Sequence, residues 1–253
     1  MKLLNGATLR TLQFGSIVLA TSALVACGGG TSSGGSPVGT VGGTAAVGAA
    51  LANASITLTC KNGSGSATAN ASGAYTATFA FDGPCAITAA GGAVTIHSFA
   101  AGAGTYNVTP LTELLLDYLA GQLGTTVSGL LAGITSNPSY QSALSNSTVI
   151  ANAQAAVVKL IKDTYGITLS SSSFLTISFA PGAPGADADL DTLLTAGAIT
   201  SNGQPAASLA SAAQAAGAAA PIGSGSGGST GGTGATGGTG GTGGSGGTGA
   251  TTK

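Results

Sequence analysis

The hydrophobic pattern of this chain changes its period once, between Phe99 and Leu111, and that change constrains the fold more than any other feature. From about residue 38 to 108, apolar and polar residues alternate in short runs, "ASITLTC" at 54–60, "GAYTATFAF" at 73–81 and "AVTIHSF" at 93–99, and "CAITAA" at 85–90 is also strand-like. Alternation with period two puts successive side chains on opposite faces of a strand. It gathers Tyr75, Ala77, Phe79 and Phe81 on one face, and sets Val94, Ile96 and Ser98 against Thr95, His97 and Phe99. Turn residues punctuate the runs at "KNGSG", "NASG", "DGP" and "AAGG", and short strands so spaced predict a small β-sandwich.

Beyond residue 108 the spacing becomes helical. Thr109 offers a cap, Pro110 suits the first helical position and Glu113 the first turn. Leu111, Leu114, Leu115, Tyr118 and Leu119 then recur every three or four residues. A second helix is expected over 148–165, where Val149, Ile150, Ala153, Val157, Leu160 and Ile161 form a stripe, Lys159, Lys162 and Asp163 lie off it, and Gly166 stops it. A third is expected near 189–198 and an alanine-rich fourth near 206–217. Strands followed by helices predict an α+β chain, an antiparallel β-sandwich module at 38–108 and a helical region at 109–222.

The ends read differently. Lys2 and Arg10 precede an uncharged run, "TLQFGSIVLATSALVA", which is short for a membrane span and has the form of a secretory signal at 1–26. It closes on Leu24-Val25-Ala26-Cys27. That tetrad resembles the lipobox of bacterial lipoproteins. The resemblance implies cleavage before Cys27, a diacylglycerol thioether on its sulfur, and a membrane partner reached through that lipid. Residues 27–37 read as a flexible linker. Residue 28 is Gly rather than Asp, which in a Gram-negative host implies the outer membrane, and otherwise the cell envelope. From 223 to 253 the chain is almost wholly Gly, Thr and Ser, with nothing to bury, and is expected to be disordered.

Only 5% of residues are charged. With 1–26 removed, Lys61, Lys159, Lys162 and Lys253 face seven acidic residues, a net charge of −3. No basic patch for a phosphate backbone exists, so nucleic-acid binding is not expected. Cys60 and Cys85 remain as an even pair in strand-like segments of an exported chain and are expected to form a disulfide.

The stretch from Gly39 to Phe79 resembles the carboxypeptidase regulatory-like, or prealbumin-like, domain. Its opening Gly-x-Val falls on Gly39 and Val41, its Ala before an alternating strand on Ala54 with Ile56 and Leu58, and its Gly-x-Tyr on Gly73 and Tyr75. Ala69-Asn70 stands where that family commonly has Thr-Asp. The resemblance implies a seven-stranded β-sandwich that is structural or adhesive rather than catalytic. The "NVTPLT" junction at 107–112 resembles one found after such modules in bacterial lipoproteins of unassigned role.

Motifs with chemical meaning are few. "GGSTG" at 227–231, "GGSGG" at 243–247 and "GTGATG" at 232–237 match nucleophile and dinucleotide patterns only because they lie in a glycine tract. His97 is the one histidine and reads as a partly exposed strand residue. Glu113 and Asp117, at i and i+4, read as a solvated helix face. Asp187, Asp189 and Asp191 resemble the start of a calcium loop, but Thr192 and Ala198 replace the glycine and glutamate that such a loop needs. They form a weak calcium candidate, with an acidic helix start as the plainer reading. Neither cofactor nor catalysis is expected. The expected role is a surface interaction or structural module with an envelope or extracellular partner, and the alternative is carbohydrate or peptide binding.

Overall fold

The computed structural model describes residues 37–223. Strands β1 (Val38–Thr44), β2 (Ser55–Cys60), β3 (Ser64–Thr68), β4 (Ala74–Ala80), β5 (Cys85–Gly91), β6 (Val94–Ala100) and β7 (Gly104–Thr105) precede all the helices. These are α1 (Pro110–Gln122), α2 (Val127–Gly133), α3 (Pro138–Ser145), α4 (Ser147–Tyr165), α5 (Ala186–Thr195) and α6 (Ala207–Ala218). The expected signal segment, most of the expected linker and the Gly/Thr/Ser tail lie outside the described residues.

The strands form two sheets, β4-β1-β7 and β3-β2-β5-β6. Their facing sides share one core, in which Val41, Tyr75 and Ala77 meet Ile56, Leu58, Ile87, Ala89 and Ile96. This is the layering of a β-sandwich. All pairings are antiparallel except one, since β7 lies parallel to β1. That pairing continues through a parallel bridge between Ala45 and Val108. The approach is tight, because a Cβ on Gly43 would lie 1.9 Å from the Tyr106 carbonyl oxygen. Strand β3 arises from a stretch of Ser, Gly and Ala, overlapping a predicted turn. Its own β-propensity is low, and pairing with β2 over five residues supplies what it lacks.

Two helices were not foreseen, α2 and α3. They are short and begin at side-chain caps: Thr126 accepts from Gly129 N, and Asn137, ahead of Pro138, accepts from Ser139 N. Asn146 caps α4 in the same way, and Gly166, at φ 71°, ends it. Helix α5 starts three residues before its expected position, at Ala186 after Gly185, and stops at Thr195. Ala198 and Ile199 are buried outside the helix, and Ile199 instead bridges Pro205.

Helix α1 lies at the centre. Eleven of its 13 residues are buried, because α6, α4, α2 and β6 all pack against it. The second core runs along it and takes in Phe99 and Ala86 from the sheet. Residue 109 thus marks a change of secondary structure without a gap in packing, and the described residues fall in one compact unit. The covering helix also means that β6 is buried on both faces. Both Ser98 and Phe99 are fully buried, one toward each side of β6.

Candidate functional site: an edge strand clasped by a helix

Strand β6 ends its sheet. The outward N–H and C=O groups of an edge strand need partners or water. Here the first turn of α1 supplies them. One carboxylate oxygen of Glu113, Oε1, accepts from the His97 backbone N–H at 2.5 Å and lies 2.7 Å from His97 Nδ1. The neighbouring hydroxyl of Thr112 donates to the His97 carbonyl at 2.9 Å. Two consecutive helix side chains therefore replace the missing strand opposite His97. One residue pair further along, Gln204 Nε2 donates to Thr95 O at 2.6 Å.

The same Thr112 closes the start of the helix, since its Oγ1 accepts from Thr109 N at 3.0 Å. Thr109 occupies the N-cap position with extended backbone, but its own hydroxyl has no hydrogen-bond partner. The expected cap is thus right in place and wrong in chemistry. The hydroxyl three residues on does the capping.

The expectation of a solvated Glu113–Asp117 face is overturned. The Glu113 side chain is 7% exposed, against 30% for His97, because α1 presses this turn onto the sheet. A buried carboxylate is tolerated here because it is paired and doubly hydrogen-bonded. The hydrogen bond to Glu113 raises the His97 pKa above its ordinary value, against the opposing effect of burial. Asp117, one turn on, is half-buried. Desolvation, and then the charge of Glu113, push its carboxyl up to about 7. Burial likewise raises the hydroxyl of Tyr118.

A second polar tie is Asn107, fully buried. Its Oδ1 accepts from Thr44 N at 3.1 Å, and its Nδ2 donates to Phe174 O at 3.0 Å and Ile177 O at 2.7 Å. It joins β1 to the loop after α4. Sequence reasoning noted Asn107 only as the first residue of the "NVTPLT" junction. An asparagine directly before the strand-to-helix junction was the available signal.

The other candidates separate. Cys60 and Cys85 are register partners on β2 and β5, and their sulfurs lie 1.99 Å apart, at disulfide distance. Asp187 Oδ2 accepts from Gly182 N at 2.7 Å, whereas Asp189 Oδ2 accepts from the Ser170 N–H and hydroxyl. Asp191 is exposed beside Gly48. The acids of the weak calcium candidate thus face different partners, and among the described residues no three His, Cys, Asp or Glu side chains converge to hold a metal. Lys159 pairs with Asp163 on the wet side of α4, as expected. Cys27 and the glycine-tract motifs lie outside the described residues.

Two of the hollows on the described surface involve α5 and α6. One lies between Ile167 and the Asp191, Thr192, Thr195 and Ala196 end of α5. The other lies between Gly124, Thr125 and the Ser211–Gln214 side of α6. Both are shallow, and neither contains His97. No family model, curated protein or solved structure matches this chain. Among the described residues no helix is long and apolar enough to cross a membrane.

Proposed function

We propose that this chain is a non-catalytic envelope lipoprotein whose folded part acts as a surface interaction or structural module. The observation that carries the reading is Leu24-Val25-Ala26-Cys27 at the end of an uncharged run that follows Lys2 and Arg10. Acylation at Cys27 with two or three chains anchors a protein stably, where one chain would not. Gly28 directs it to the outer membrane if the host is Gram-negative.

The folded residues support the non-catalytic part of the proposal. The acid–base pair His97–Glu113 is occupied in holding backbone. Kinship with the carboxypeptidase regulatory-like, prealbumin-like module is part of the same proposal. Its Gly-x-Tyr has a physical reason here. Gly73 turns at φ 76° with a Cβ position 2.4 Å from Ala45 O, and Tyr75 buries its ring and donates its hydroxyl to Tyr106 O at 2.6 Å.

The test is Cys27→Ala. Palmitate labelling and recovery in the membrane fraction should both be lost, with the thermal transition unchanged. Label persisting on the variant would overturn the lipoprotein reading.

One observation favours glycan binding as a second reading. Ser55, Thr57 and Thr59 are exposed on β2 and pair in register with the exposed Thr68, Ser66 and Ser64 of β3. This is an uncharged hydroxyl surface. Retention on insoluble neutral polysaccharide, lost in Thr57→Val/Ser66→Val, is its signature. Equal retention of both proteins would sink it.

A further inference from the structure

We propose that His97 and Glu113, with Asp117 one helical turn behind them, form a proton-operated clasp that holds α1 against the outer edge of β6, firmest when the cluster carries extra protons and loosest when it has lost them. The geometry supplies the parts. Glu113 Oε1 meets both the backbone N–H and the ring Nδ1 of His97. At 2.7 Å from a carboxylate, Nδ1 carries the hydrogen, and a proton on Nε2 then makes the contact an ion pair. Asp117 sits one helical turn beyond Glu113, so two carboxylates share one partly buried face.

Nothing else compensates for them. The elements packed on α1 and β6 are β5, α2, α4 and α6. Of these, β5, α2 and α6 carry no titrating side chain, Cys85 being paired. Helix α4 brings Lys159, Lys162, Asp163 and Tyr165; Lys159 is spent on Asp163 in solvent. Gln204, which approaches β6 at Thr95, is neutral. Among the described residues the ion pairs are His97–Glu113 and Lys159–Asp163, so Asp117 meets no cation.

The two shifted groups act in the same direction. Asp117 holds a proton in the folded state up to about 7 but in the unfolded chain only to 3.8. Its folded form is therefore favoured at low pH, and that advantage is lost as pH rises from 3.8 to about 7. The folded pKa of His97 lies above its ordinary 6.5, so its contribution is complete below 6.5 and is lost as pH rises through the folded value. Past both, two carboxylates face a neutral imidazole, and their repulsion works against the clasp. What loosens is the edge itself, the N–H and C=O of His97, a surface to which another strand can pair.

The test uses the full chain across about pH 5 to 9. The melting temperature should fall with rising pH by roughly 5 °C, and protection of the His97 amide in hydrogen exchange, corrected for intrinsic rate, should fall with it. Asp117→Asn should melt higher than wild type at the alkaline end and lose most of the slope. A flat wild-type profile, or an unchanged slope in Asp117→Asn, would overturn the proposal. Glu113→Gln should reduce His97 protection and return its imidazole titration toward ordinary values. If that variant does not fold, the wild-type imidazole titration decides. A value above 6.5 agrees, and one at or below it refutes.

Discussion

Gly121 of α1 and Gly217 of α6 each lie directly on the backbone of the other helix. A Cβ on Gly121 would stand 2.1 Å from Gln214 O, and one on Gly217 would stand 2.0 Å from Tyr118 O. No other residue type allows this approach, and α6 meets α1 more extensively than any other pair of elements meets.

Glycine to alanine inside a helix ordinarily stabilises by about 1 kcal/mol through propensity. Here the clash must win, because the opposing atoms are backbone and cannot rotate away. Gly121→Ala and Gly217→Ala should each destabilise by roughly 1–3 kcal/mol, measured by urea unfolding. An increase in stability in either would show that the helices can separate freely.

Asn107→Ala should cost roughly 3 kcal/mol. It removes three hydrogen bonds and leaves a buried N–H and two carbonyls without partners, each worth about 1–3 kcal/mol when orphaned. Asn107→Asp should do no better, since a carboxylate replaces the two donated bonds with repulsion toward the Phe174 and Ile177 carbonyls. Aspartate retaining wild-type stability would refute this account.

Phe99→Ala should cost about 3–5 kcal/mol and should lower the sheet and the helices together. Phe99 belongs to the sheet by hydrogen bonding and to the helical core by packing. Circular dichroism in the helical region and the fluorescence of the tyrosines, two of which, Tyr75 and Tyr106, lie in or beside the strands, should report one coincident transition. Two separated transitions would mean that the strands and helices fold independently.

Cys60 and Cys85 close a loop with a sequence separation of 25, which the chain-entropy relation values at about 3.5 kcal/mol. Both side chains are buried. Alkylation of the native protein without reductant should therefore leave both unmodified, and the double alanine variant should lose about that stability. Two free thiols in protein recovered from an oxidising compartment would refute the pairing.

Much of the architecture was legible because it is written locally. Strands β2, β4 and β6 follow a two-residue alternation, and α1 and α4 a three-to-four spacing, so period alone places them within a residue or two. The short helices α2 and α3 have too few turns for a stripe, and only their Asn and Thr caps mark them. Strand β3 carried no local signal, since pairing with β2 makes it a strand.

The candidate site was legible only as separate residues. His97, Glu113 and Asp117 were each visible, but the sequence places His97 16 positions from Glu113, and no local rule joins a strand residue to a helix across that interval. An i, i+4 acidic pair reads as solvated unless something covers it. What covers it is the docking of α1 on β6, decided by the burial of Phe99 and the leucines of α1.

The sequence by itself determined the address proposed for this protein, the order of strands before helices, and the residues that cap and stop each element. Those properties rest on neighbouring residues, whose geometry is fixed by covalent structure and short-range hydrogen bonding. Tertiary structure alone decided that Glu113 is buried, that Asp187, Asp189 and Asp191 face different partners, and that β6 has no open edge at His97. Each depends on desolvation by an element distant in sequence, which changes the cost of a charge and the partners a donor can find without changing a single residue nearby.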